Sequence, residues 1–229
     1  MIAFVAAMEK EVAPILEKYA AAETTLGYGK LHICKAGDVP FFVLISGIGK
    51  VFAGMAVAAM LERYGKEITG VINLGVGGTL HPEIAGLDSL ILGTVYTQHD
   101  MDTTPLGDPY GYISGIGVIE FKADQTLFNV IEKKAKELGY PVTRGQICSG
   151  DQFIVTQKQK DAILALFPNT ISVDMESAAF AQACYVYGCP FFAGRFVSDT
   201  GHDGEYEVHL PICRDKIFTL VDALLSLLA

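Results

Sequence analysis

The sequence predicts an α/β fold: one three-layer α/β/α domain spanning residues 1–229, built on a central mixed, largely parallel twisted sheet. Three observations carry that expectation. Short runs rich in β-branched and apolar residues alternate with stretches of helical periodicity, which is the pattern of layered α/β proteins. Several of those runs are apolar without alternation, as in strands covered on both faces. No repeat, low-complexity tract or linker interrupts the 229 residues, of which 51% are hydrophobic and 19% charged, so one large core is within reach.

Each element follows in order. The first strand is expected at 2–7 and a helix over "EVAPILEKYA", with Pro14 in its first turn. Strands at 30–36 and 40–46 precede "GKVFAGMAVAAMLERYG", whose apolar residues recur at helical spacing and whose last glycine, Gly65, is a stop signal. Strands at 69–74 and 88–97 come next. Residues 98–120, containing "QHDMDTTPLGDPYGYISG", are too long and too rich in Gly, Pro and Asp for an ordinary connection, and loops of that length are commonly functional. Helices over "DQTLFNVIEKKAKELG", "TQKQKDAILALF" and "ESAAFAQACYVYG" then alternate with strands at 144–149, 170–175 and 190–197. "CRDKIFTLVDALLSLLA" closes the chain as a helix.

Composition excludes several partners. The net charge is −9 with only 17 basic residues, and no cluster of Lys and Arg exists to meet a nucleic acid or an anionic membrane. The five cysteines form no CxxC pair and sit mostly in apolar runs, as buried reduced thiols do. "MIAFVAAM" is followed at once by Glu9 and Glu11 and is too short for a membrane span or a signal core. A cytoplasmic, soluble protein is the expectation, and the charge argument leaves a small neutral ligand open.

In open α/β sheets ligands sit beyond the carboxyl ends of strands. There the sequence places "AAMEKE", "SGIGK", "NLGVGGTL", "SGDQF", "VDMES" and "VSDT": glycines, hydroxyls, acids and one aromatic. "GVGG" fails the dinucleotide fingerprint because Leu80 stands where a glycine is required, and "GIGK" fails the phosphate-loop pattern at Leu44 and Val51. These glycines are expected to allow sharp turns or a close approach to a ligand. "HDMD" at 99–102 lacks further ligands at metal spacing, so no metal and no cofactor are expected. No GxSxG elbow supports acyl transfer. Acids remain at strand ends: Glu11, Glu176 and Asp199, with Asp151 as a fourth. A carboxylate beside a helix N-terminus is often only a dipole partner, and Glu9 is assigned that role. Asp174 is expected to serve structure, on the opposite face of its strand from Glu176.

Taken together, "AAMEKEV", "SGIGKV", "NLGVGG", "SGDQFI", "VDMES" and "RFVSD" resemble, in order and spacing, the 5′-methylthioadenosine/S-adenosylhomocysteine nucleosidases of the purine nucleoside phosphorylase-like superfamily. The resemblance spans the chain and implies a phosphorylase/hydrolase-like fold, hydrolysis of an N-ribosidic bond with release of adenine, and a place in methionine salvage. It implies Asp199 as the general acid toward adenine N7 and Glu11 as the general base toward the attacking water, the division of labour of an inverting glycosidase. It implies that Glu176 binds the ribose hydroxyls, Phe153 stacks on the purine, and Ile154 meets the adenine edge through its backbone. Arg195 would lie near the water, with Ser198, Val76 and Gly77 in the same wall. Met8, Ile48, Met175 and Tyr206 would line the sugar and 5′-substituent pocket. It further implies a homodimer in which the 98–120 loop places Thr103 and Leu106 in the partner's site.

The chain departs from the family pattern at Val76, where a serine is usual, at Thr103, more often apolar, and at Tyr206, more often phenylalanine. The segment from Asp199 to Tyr206 is also short. Three rivals stand beside this reading: a purine nucleoside phosphorylase, a hydrolase of aminofutalosine or 5′-deoxyadenosine, and a nucleoside-binding module without catalysis. Phosphorolysis needs a phosphate cradle, usually with arginines, and the chain has only four: Arg63, Arg144, Arg195 and Arg214.

Overall fold

Ten strands pair into one sheet in the computed structural model, which describes residues 1–227. The strands are β1 (Ile2–Ala6), β2 (Ala20–Leu26), β3 (Gly29–Ala36), β4 (Val39–Ile45), β5 (Gly70–Thr79), β6 (Leu90–Gln98), β7 (Glu120–Lys122), β8 (Val142–Ser149), β9 (Thr170–Asp174) and β10 (Phe191–Asp199). The helices are α1 (Glu9–Tyr19), α2 (Lys50–Tyr64), α3 (Gln125–Glu137), α4 (Gln157–Leu166), α5 (Ser177–Tyr187) and α6 (Glu205–Leu225). The α/β class and the mixed sheet are as expected. α1 and α3 pack on α6, while α2 packs on α5.

The sheet is less parallel and less open than the sequence suggests. The pairs β1–β4, β1–β5, β10–β5, β6–β8 and β8–β9 are parallel. The pairs β10–β6, β2–β3, β3–β4, β5–β9 and β6–β7 are antiparallel, so neither sense predominates. The order β10-β6-β8-β9-β5 returns to β10 through the β5–β10 pairing, making a closed ring, with β1, β4, β3 and β2 extending from β5. β9 meets only the tip of β5, through Gly78↔Val173 and Thr79↔Ser172. Closure thereby brings the carboxyl ends of two antiparallel strands together.

Elements the sequence under-reads have local causes. β2 is an exposed edge strand, "AAAETTL", without an apolar face to announce it; a two-residue turn with Gly27 at φ 61° joins it to β3. β5 runs on through the glycines of "GVGG", which are neither a turn nor at positive φ. α1 begins at Glu9, so Pro14 lies inside it rather than in its first turn, removing one helical hydrogen bond. α6 begins at Glu205, eight residues before the expected start at 213, and carries Pro211 internally. Gly204 at φ 80° and the first-turn acids Glu205 and Glu207 start it. The expected helix end at residues 228 and 229 lies outside the described residues. The 98–120 segment is not structureless: it holds a 3-10 turn at Thr104–Leu106 and a bridge between Ile113 and Val118 before β7 begins.

Candidate active site

A cavity of about 330 Å³ opens where β1, β4, β5, β8, β9 and β10 end or pass. Its wall contains Glu11, Glu176 and Asp199 together with Val76, Gly77 and Ser198. Met8, Ile48, Met175 and Tyr206 line it too, as do Phe153 and Ile154. These twelve expected site residues, scattered from position 8 to position 206, therefore meet in one place. Arg195, Thr103 and Leu106 do not line this cavity.

Glu11 sits in the first turn of α1 and is buried. Its carboxylate accepts from the backbone N–H of Met8 at 3.0 Å and of Val76 at 3.2 Å. Burial raises its pKa; the nearby charge of Arg195 and those N–H donors oppose the rise. Gly75 explains why the strand can pass so near, since a Cβ there would come within 2.9 Å of Glu11 Oε1 and 3.4 Å of Arg195 Nη1. In this strand glycine makes room for buried side chains.

Asp199 ends β10, where the β5–β10 register shifts between Val197 and Asp199. Such an irregularity re-aims a side chain. Ser198 Oγ donates to Asp199 Oδ2 at 3.0 Å. Burial raises the Asp199 pKa against that hydrogen bond, and Glu205 adds to the rise. A Cβ on Gly78 would stand 3.1 Å from Asp199 Oδ1.

Glu176 is the N-cap residue of α5, and its Oε1 accepts the Gly49 N–H at 2.8 Å. Gly49, at φ 94°, turns that N–H inward at the start of α2. Burial first, and then the charge of Asp174, push the Glu176 pKa up to about 8. Asp151, the fourth acid considered, is exposed and accepts the Lys50 N–H at 2.8 Å, which holds the start of α2 in place.

Asp174 corrects one expectation. It does not point away from Glu176: both line the cavity, and Asp174 Oδ1 accepts the Glu176 N–H at 3.2 Å. Residues two apart along a strand share a face, so the period of two itself sets Asp174 and Glu176 on the same side, and the chain keeps them together past the strand's end at Asp174. The structural role is visible in its partners: Arg195 Nε at 2.8 Å, Ser149 Oγ at 2.5 Å, and both the N–H and the hydroxyl of Ser177. Arg195 is itself 2% exposed, with its remaining donors on Asn73, Gly194 O and Ser177 Oγ. It stands behind the cavity wall and acts on Glu11 and Glu176 through its charge.

At the mouth, Phe153 is half exposed and meets Tyr206 edge to face with ring centroids 5.7 Å apart. Tyr206 Oη lies 3.8 Å from Met8 Sδ. Thr103 and Leu106 belong to the 3-10 turn region of the long loop, and Leu106 is 83% exposed. The "HDMD" side chains diverge: Asp100 takes the Lys50 ammonium, Asp102 accepts from Thr104, and buried His99 packs against Gly150. Sequence reasoning missed Lys10, Gln152 and Gly78 in the cavity wall. All three lie inside quoted motifs, but nothing in those patterns told which way they point.

Buried carboxylates around an aromatic-mouthed cavity, at the strand ends of a closed mixed sheet, suit a small polar organic ligand and proton transfer to or from it. A family model described as the phosphorylase superfamily matches residues 1–226. A 5′-methylthioadenosine/S-adenosylhomocysteine nucleosidase from Staphylococcus haemolyticus is 32% identical over 232 residues, covering 100% of both chains. One from Anoxybacillus flavithermus is 34% identical over 86% of this chain and 84% of its own. Among solved structures, the Streptococcus pneumoniae nucleosidase of the same name, with the transition-state inhibitor MT-ImmA, superposes with a TM-score of 0.89 at 25% identity over 100% of this chain and 99% of that one. The native futalosine hydrolase of Helicobacter pylori superposes with a TM-score of 0.90 at 25% identity over 98% and 97%. The chain belongs to the phosphorylase superfamily and, within it, to the family of 5′-methylthioadenosine/S-adenosylhomocysteine nucleosidases.

Proposed function

We propose that this protein hydrolyses the N-ribosidic bond of 5′-methylthioadenosine and S-adenosylhomocysteine, releasing adenine and the 5′-thio-substituted ribose. The observation that carries the proposal is the group of three buried acids, Glu11, Glu176 and Asp199, around one cavity, each with its pKa raised by burial. In the reaction the C1′–N9 bond breaks and its electron pair goes to the purine. Asp199, whose pKa burial raises, gives its proton to N7 and so neutralises the leaving base. A water attacks C1′ from the opposite face and passes a proton to Glu11, which Met8 and Val76 hold in place. The ribose 2′- and 3′-hydroxyls donate to Glu176, which favours its ionised form on binding. Phe153 stacks on adenine, and Ile154 offers its backbone to the purine edge. Arg195 acts from behind the wall as the fixed positive charge that favours Glu11 as an anion.

Hydrolysis fits better than phosphorolysis because no arginine lines the cavity among the described residues. Arg195 is engaged internally, Arg144 pairs with Glu132 and Arg214 with Asp215. The futalosine hydrolase neighbour supports a second reading, a related adenine nucleoside with a different 5′-group such as aminofutalosine. Both readings are tested by incubating the protein with 5′-methylthioadenosine and its 5′-analogues in phosphate-free buffer and measuring adenine. Strict dependence on phosphate would replace hydrolysis by phosphorolysis; tight binding with no adenine would leave a binding module.

The finer organisation belongs to the same proposal. Residues 1–229 act as one domain, with helix groups α1/α3/α6 and α2/α5 as the two outer layers of a three-layer sandwich. The protein acts as a cytoplasmic homodimer in methionine salvage, its five free thiols suiting a reducing compartment. Exposed Leu106 and the apolar α2 residues Val51 and Met55 supply the dimer surface, with Thr103 and Leu106 completing the partner's pocket. Sedimentation of a monomer at micromolar concentration would remove the dimer.

A further inference from the structure

The cavity wall holds four acids, Glu11, Asp174, Glu176 and Asp199, and one cation, Lys10. Neither the acid, the base nor the ribose grip uses that cation. Lys10 follows Glu9 in the first turn of α1, and Glu9 is already paired with Lys30 at 3.3 Å. No carboxylate lies within ion-pair distance of Lys10 among the described residues. Its ammonium instead stands 5.0 Å from the centroid of the Tyr206 ring, whose hydroxyl reaches Met8 Sδ. Met8, Tyr206 and Lys10 thus run from the inner wall to the exposed rim, with half-exposed Ile48 also at the opening.

Resting on the hydrolase reading above, we infer that Lys10, with the Tyr206 hydroxyl beside it, is a specificity determinant for adenine nucleosides whose 5′-substituent ends in a carboxylate. A methylthio group ends against Met8 and Tyr206 and has no need of a cation. A longer tail passes Tyr206 and reaches the rim where the ammonium stands. The charge balance makes the point sharper. A protein of net charge −9 with four acids around its cavity repels an anionic ligand. A cation at the landing point of the carboxylate offsets that repulsion locally, through a charge-assisted hydrogen bond. Tyr206 contributes a phenolic hydroxyl as a second donor beside the ammonium.

The test compares kcat/KM for a 5′-carboxyalkylthioadenosine, whose tail carries a carboxylate and no amine, with that for a 5′-alkylthioadenosine of similar length and no charge, in the wild type, Lys10→Gln and Lys10→Glu. The expected result is that the ratio falls about fivefold in K10Q, the scale of one partly exposed ion pair, and further in K10E. Raising the ionic strength should move the wild-type ratio toward that of K10Q while leaving K10Q itself nearly level. A ratio that stays constant across the three proteins and across salt, while adenine is still released, overturns the role of Lys10 alone. Adenine released from no nucleoside by the wild type overturns the hydrolase reading and this one with it.

Discussion

Asp174 and Glu176 lie two residues apart, are 9% and 8% exposed, and line the same cavity, yet they live in different chemical surroundings. Asp174 accepts from Arg195, Ser149, the Glu176 N–H and both donors of Ser177. Among the described residues, Glu176 accepts one protein hydrogen bond, from Gly49. A carboxylate with five donors around it has its lone pairs occupied and is a structural anchor. One with a single donor has lone pairs left for something that enters from solvent. Burial alone does not separate structure from ligand handling; the number of filled acceptor sites does.

The comparison can be broken most forcefully at the anchored end. Asp174→Ala leaves Arg195 as an uncompensated buried charge, which should cost about 3–5 kcal/mol of stability, measured by urea unfolding. A loss below about 1 kcal/mol would make the Arg195 pair dispensable, as exposed pairs are. Asp199→Asn, on the ligand-facing side, should spare the fold and lower adenine release on the order of a hundred- to ten-thousandfold, the range for a general acid. Near-normal turnover in single-turnover assays would place the proton donor elsewhere.

The smallest effect sharpens the contrast by pH. A buried acid whose pKa is raised from 4.5 to about 8 contributes stability that is full below 4.5 and is lost as pH rises through 8. Glu176→Gln removes that titration. Its melting temperature relative to the wild type should therefore climb between pH 5 and pH 8, by several degrees if linkage contributes about 2 kcal/mol. Parallel melting curves for the two proteins across that range would show that Glu176 is not held off its charged form.

Much of this site was legible in the sequence because its parts lie where strands end, and strand ends carry short, quotable signatures. The motifs around Glu11, Phe153, Glu176 and Asp199 needed no knowledge of pairing to be found. What was hidden depends on pairing at long range. That "GVGG" continues as strand follows from β10 lying alongside, from Phe191↔Val71 through Asp199↔Gly78. Of the antiparallel pairs, β10–β6 and β5–β9 belong to the same closed ring, while β2–β3, β3–β4 and β6–β7 lie outside it. β2 was hidden because an exposed edge strand has no apolar alternation to show. The direction of Lys10 was hidden because the first turn of a helix offers each side chain several exits.

The β5–β10 pairing also sets a schedule. Residues 70–79 leave the ribosome long before residues 191–199, and until the later strand arrives one edge of β5 lacks its partner, while β1 pairs the other edge from Gly70 to Asn73. Contacts so distant in sequence form slowly. A nascent chain that ends before β10 lacks Asp199 and the ring that encloses the cavity, so it leaves one edge of β5 without its partner. The site is therefore completed only by a strand made near the end of synthesis.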